Sequence, residues 1–271
     1  MKTVADRVAL VTGASRGIGP FIAKTLAAQG CTVVGVARNR EGLDETVGEI
    51  TQAGGKAFAV QGDLADLANL PAVLEAVESA AGSPIDFLIN NAGVEFYRRY
   101  TDYTAQELAS VLTLNLHVPL ELTRLLLPKL LARGRGHIVS VASLAGKKGV
   151  LYNGPYSASK AGVLLWTDAL RQEVAGTGVG VSVVVPGYIR DAGMFHGDDV
   201  SPPKFLGTSS PQDVADAVVQ AIKHDRQEII VNPGPMRPML ALGQLSPALA
   251  NRLVDWMGVN RTNAARRRDP K

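Results

Sequence analysis

Short runs in which almost every residue is apolar alternate along the chain with longer stretches whose apolar positions recur every three or four residues. The short runs lie at 7–12, 31–37, 56–61, 85–90, 136–142, 179–185 and 228–232, and many are β-branched, as in Val33-Val34-Gly35-Val36 and Val181-Ser182-Val183-Val184-Val185. A strand with one wet face alternates polar with apolar residues. These runs do not, so they predict strands covered on both faces. Helical stretches fall between them, near 17–29, 39–53, 66–82, 103–132, 154–175 and 210–224. Ser210-Pro211-Gln212-Asp213 marks one helix start, with a capping serine, a proline in the first turn and an acid at the third helical position. The pattern predicts an α/β fold: a single-domain, doubly wound, Rossmann-like parallel sheet of seven strands with helices on both faces.

Two regions break the alternation. Residues 187–209 form a long Gly- and Pro-containing segment without periodicity, which reads as a substrate loop. Residues 233–271 follow the last strand and carry two apolar clusters, Met236 to Leu245 and Leu249 to Met257. The expected organisation is therefore a dinucleotide-binding and catalytic domain over 1–235, followed by a C-terminal helical extension and basic tail over 236–271.

Composition narrows the function classes. At 271 residues and 46% hydrophobic, the chain can build one large core, and a net charge of +3 is too small to imply nucleic acid. Much of that excess sits in Arg261, Arg266, Arg267, Arg268 and Lys271, read as a solvated tail. The single cysteine, Cys31, opens an apolar run and reads as a buried thiol. No apolar stretch has spanning length, and the first one is too short for a signal segment, so a cytoplasmic location is expected.

Thr12-Gly13-Ala14-Ser15-Arg16-Gly17-Ile18-Gly19 follows the first strand and opens a helix. Glycines there let a pyrophosphate approach backbone amides at the positive end of the helix. Arg38 follows the second strand, where an acid would accept from the adenosine 2′-hydroxyl and an arginine accommodates a 2′-phosphate. Together with Ser15 and Arg16, it favours NADP(H) over NAD.

Tyr156 and Lys160 lie four residues apart, on one helix face. Such a pair is common by chance; its context is not. Asn90-Asn91-Ala92-Gly93 ends the fourth strand, Ser143 follows the fifth, and Pro186-Gly187 ends the sixth. In a parallel sheet all these carboxyl ends share one edge, so they converge with the glycine loop on a single crevice. A nearby ammonium stabilises a phenolate and suits the tyrosine to proton exchange.

Taken together, these motifs resemble the short-chain dehydrogenase/reductase family over roughly residues 5–235. The resemblance implies Tyr156 as general acid/base, with Ser143 bonding the substrate oxygen. Lys160 would lower the tyrosine pKa and hold the nicotinamide ribose, and Asn115 would anchor a relay water. It implies Asp63, beside Leu64, on the adenine amino group, and Asn91, Ala92, Gly93 and Ile189 along the cofactor. Without the family, Asn115 is an ordinary helix residue and Asp63 an ordinary turn former. The family's usual threonine after Pro186-Gly187 is replaced by Asp191, with Arg190 beside it as a neutralising charge. The resemblance also implies a homodimer or homotetramer built through the helices at 103–132 and 154–175.

The expected function is NADP(H)-dependent hydride transfer between nicotinamide and an alcohol or ketone, as in a carbonyl reductase. Met194, Phe195, Phe205, Leu151, Tyr152 and Pro155 suggest an apolar pocket wall and a hydrophobic carbonyl substrate. The alternative is a non-catalytic nucleotide-sensing or scaffold protein on the same fold, which would bind NADPH without turning it over. No metal is expected: His196, Asp198 and Asp199 lack a tight ligand spacing. His117 reads as a packed helix histidine. Leu249, Leu253, Trp256 and Met257 form a stripe for core or subunit packing, or for peripheral membrane contact beside the arginines.

Overall fold

A computed structural model describes residues 3–192, 206–234 and 236–267. Seven strands run parallel in the order β3-β2-β1-β4-β5-β6-β7. They are β1 Val8–Thr12, β2 Thr32–Ala37, β3 Lys56–Gln61, β4 Phe87–Asn90, β5 Gly136–Val141, β6 Val179–Pro186 and β7 Glu228–Val231.

The uninterrupted apolar runs have the expected cause. In β1, Ala9 and Val11 face a layer built from Ile22 and Leu26 of α1 (Gly19–Ala28), Leu43 of α2 (Arg40–Gln52) and Val218 of α7 (Pro211–His224). Val8 and Leu10 face the opposite layer, built from α3 (Leu70–Ala81) and α5 (Val118–Ala132). Leu122, Leu126 and Leu130 of α5 are fully buried there; each contributes about 1.5–3 kcal/mol by leaving water. Ser210 and Asp213 cap α7 reciprocally, as the sequence predicts. Cys31 is buried, with its thiol donating to the Val4 carbonyl and pushed up to about 12 by burial.

The helix expected over 103–132 is interrupted. It divides into α4 (Ala105–Leu112), a π-helical turn Thr113–His117, and α5. Pro119 explains the break: it has no N–H to offer the carbonyl of Asn115, four residues earlier. His117, expected to be packed, is exposed. On the far side of the site, α6 (Gly154–Glu173) carries Tyr156 and Lys160.

The C-terminal extension folds into three short helices, α8 (Met236–Leu245), α9 (Pro247–Trp256) and α10 (Val259–Ala265). Among the described residues no helix is long and apolar enough to cross a membrane.

Candidate active site

The strand order reverses between β1 and β4, and the loops after these two neighbours part to open a crevice. Thr12 ties the two loops together: its hydroxyl donates to the Ile89 carbonyl and accepts from the amides of Asn91 and Ala92. The Asn91 side chain completes the tie by donating to the Thr12 carbonyl at 3.0 Å.

Along this crevice runs a cleft of about 1150 Å³. Gly13, Ser15, Arg16, Gly17 and Ile18 form one end of its wall, with Arg38, Asp63 and Leu64 beyond them. Asn91, Ala92 and Gly93 form the middle, and Pro186, Gly187 and Ile189 the opposite side. Gly13 and Gly17 both have positive φ, which costs glycine nothing. Gly19 is not on the wall; it packs beneath the loop, where a Cβ would lie 2.0 Å from the Gly13 carbonyl oxygen. The result is a bare backbone cradle at the start of α1, as a bound pyrophosphate requires.

At the cleft's inner end, Tyr156 and Ser143 line the wall together. The Ser143 hydroxyl accepts from the Ala145 amide at 3.1 Å, which fixes its direction. The turn carrying Ser143 sits directly on α6: a Cβ on Gly146 would lie 2.6 Å from the Lys160 carbonyl carbon. Lys160 donates to the Val141 carbonyl at 2.9 Å, and its ammonium lies 5.7 Å from the Tyr156 ring centre.

The electrostatics differ from the expectation that Lys160 lowers the tyrosine pKa. Burial pushes the Tyr156 phenol well above its ordinary value, the Glu95 carboxylate adds to this, and the nearby Ser143 hydroxyl works against it. Burial also lowers Lys160, to about 8. Tyr156 therefore holds its proton firmly in this state.

Asn115 lies off the wall, held at the π-helical turn. Its side chain accepts from the Val94 amide, donates to the Val94 carbonyl, both at 2.8 Å, and donates to Ser159 at 3.2 Å. Asp191 turns outward at positive φ, three-quarters exposed, and pairs with Arg190 at 3.3 Å.

Several expectations about the pocket fail. Leu151, Tyr152 and Pro155 are absent from the wall; Leu151 is exposed to solvent and Pro155 is buried at the start of α6. Met194, Phe195, Phe205, His196, Asp198 and Asp199 lie outside the described residues. The apolar wall comes from the extension instead: Met236, Met239 and Leu240 of α8, Leu253 and Val254 of α9, and Met257. Trp256 and Leu249 of the same stripe are exposed.

Arg266 is not a solvated tail residue. It is buried against Glu95 at 2.9 Å, with its guanidinium 4.1 Å from the Tyr97 ring centre. Arg267 lies over Tyr152 at 5.8 Å. Asn153 donates to the other Glu95 oxygen at 2.9 Å. Asn263 of α10 also lines the cleft, and neither of its side-chain amide atoms has a partner among the described residues. Glu95, Asn153, Asn263 and Arg266 carry no motif in the sequence; only the fold brings them together.

Comparison with known proteins is consistent with this geometry. The short chain dehydrogenase family profile matches residues 7–199. The chain belongs to that family. Ketoacyl reductase HetN from Nostoc sp. is 48% identical over 264 residues, covering 96% of this chain and 92% of the relative. A metagenomic short-chain oxidoreductase solved with NADP is 34% identical, with a TM-score of 0.73 over 85% of this chain and 98% of that one. Actinorhodin polyketide ketoreductase, solved with NADPH, is also 34% identical, with a TM-score of 0.76 over 85% and 97%. This short-chain dehydrogenase is an NAD(P)-dependent oxidoreductase using a nicotinamide cofactor and a small-molecule substrate.

Proposed function

We propose that the chain is an NADPH-dependent reductase of 3-oxoacyl compounds, with Tyr156 delivering the proton to the carbonyl oxygen. The observation that carries this reading is Ser143, Tyr156 and Lys160 side by side on the wall of a dinucleotide-sized cleft, with the ammonium 5.7 Å from the tyrosine ring centre. Bound there, the nicotinamide supplies the hydride.

The chain's own residues supply the rest. The Ser143 hydroxyl, fixed by the Ala145 amide, orients the carbonyl oxygen towards the phenol. Tyr156 keeps its proton until negative charge develops on that oxygen, which suits donation and hence the reductive direction. Lys160, held beside the tyrosine ring by the Val141 carbonyl, is assigned to the nicotinamide ribose, and Asn115 fixes the segment after β4 against α6. Arg16 and Arg38, both exposed on the wall, present two cations to the adenosine end, supporting NADP over NAD. Asp63, facing the same end, is assigned to the adenine.

Met236, Met239, Leu240 and Leu253 support an apolar acyl group in the outer cleft, and the HetN relative supports the 3-oxo function. The homodimer or homotetramer is assigned to the outer faces of α5 and α6, where Leu131 and Leu165 are exposed.

The test is NADPH consumption with 3-oxobutanoyl, 3-oxohexanoyl and 3-oxooctanoyl thioesters of N-acetylcysteamine. The reading expects kcat/KM to rise with chain length and NADPH to outperform NADH. No turnover of any of the three would reject it.

A further inference from the structure

The end of the C-terminal extension reaches across the cleft and joins the loop after β4. Arg266 contributes a guanidinium whose side chain is 5% exposed, and Glu95 a carboxylate that is 11% exposed. Their atoms meet at 2.9 Å, the Arg266 guanidinium also lies 4.1 Å from the Tyr97 ring centre, and Asn153 holds the second carboxylate oxygen. Two opposite charges so far from water are costly to separate, because either one left alone is buried and uncompensated. Both line the same cleft wall as Tyr156, and they act on its phenol in opposite directions, the carboxylate raising its pKa and the guanidinium lowering it.

We propose that Glu95 and Arg266 are positioning residues: their buried ion pair fastens α10 over the cleft and presents Tyr156 with a compensated charge instead of a bare carboxylate. Neither touches the reacting atoms; both act through the tyrosine and the helix they hold. Among the described residues, the titratable or charged groups that face that phenol are Glu95 and Tyr97 from the loop after β4, Lys160 from α6, and Arg266 beyond α10. Removing Arg266 leaves Glu95 opposing phenolate formation. Removing the Glu95 charge leaves Arg266 favouring it. The two losses must therefore move the tyrosine in opposite senses, which a merely structural role has no reason to do.

This inference rests on the proposed function for its kinetic arm only. Oxidation of a 3-hydroxybutanoyl N-acetylcysteamine thioester by NADP⁺ requires the phenolate, so its acid limb reports the tyrosine. Arg266→Gln is expected to move that limb upward by about half to one pH unit, a roughly three- to tenfold loss of rate on the limb. Glu95→Gln, which keeps the side-chain shape, is expected to move it downward. The double variant should return close to wild type, and Arg266→Lys should recover part of the loss. In the cofactor-free full chain, hydrogen exchange of the α10 amides should speed up about tenfold or more in both single variants. Unchanged exchange in both overturns the fastening. Limbs that stay put, or move the same way, overturn the charge balance. A wild-type enzyme inactive on every thioester rejects the proposed function instead, and the exchange arm still decides whether the pair holds the helix.

Discussion

Lys160→Met should make this enzyme more stable while disabling it. The lysine is buried at 4% exposure, and burial lowers its pKa from an ordinary 10.5 to about 8. At about 1.36 kcal/mol per pH unit, that gap costs the folded state about 3 kcal/mol wherever the lysine is charged. Methionine matches the stem but leaves the Val141 carbonyl without its donor, returning about 1 kcal/mol of the gain. The net is about 2 kcal/mol, or a rise in Tm of about 4–8 °C for a domain of this size. The sign with pH follows from the same gap. Below pH 8 both folded and unfolded chains hold the proton and the whole cost is present. Between about 8 and 10.5 only the unfolded chain holds it, so the wild type regains stability as pH rises. Thermal unfolding of the cofactor-free protein at pH 7 and pH 10 reads this directly. A variant less stable than wild type at pH 7, or an advantage equal at both pH values, refutes the reasoning.

Other changes follow from the same geometry. Arg38→Ala should lower kcat/KM for NADPH about 10- to 100-fold, as expected for a lost charged hydrogen bond, while changing the NADH value little; equal losses with both cofactors would count against the 2′-phosphate assignment. Thr12→Val strips an acceptor from two backbone amides, so urea unfolding should show a loss of about 2–4 kcal/mol, and an unchanged midpoint would contradict the tie between the loops. Gly19→Ala places a methyl 2.0 Å from the Gly13 carbonyl oxygen, and fluorescence titration should show NADPH binding weakened at least tenfold; wild-type affinity would remove the cradle from the account.

The sheet was legible because a doubly covered strand leaves a strong trace, a run of apolar residues bounded by turn formers. The predicted strand ends fall within two residues of the observed ones, as at β4, which starts at Phe87 instead of 85. The convergence of the glycine loop, Ser143, Tyr156 and Lys160 was also legible, since parallel strands send all their carboxyl ends to one edge. Asn115 and Asp63 were reached only through the family likeness. The π-helical turn carried a signal that propensity alone passes over, the proline four residues after Asn115. The apolar clusters of the extension were legible but not their place on the cleft wall, and Arg266 was misread because an arginine-rich C-terminus looks solvated in sequence. Its burial depends on Glu95, which lies 171 residues away and becomes a partner only after folding.

The central claim is that Tyr156 hands its proton to a substrate oxygen beside the cofactor. Rapid mixing of the NADPH-loaded enzyme with 3-oxooctanoyl N-acetylcysteamine thioester tests it in one turnover, with wild type and Tyr156→Phe compared at equal cofactor occupancy. The account predicts that the phenylalanine variant retains bound NADPH, with its fluorescence unquenched by reaction, and oxidises it at least a thousandfold more slowly. Oxidation at the wild-type rate would contradict it.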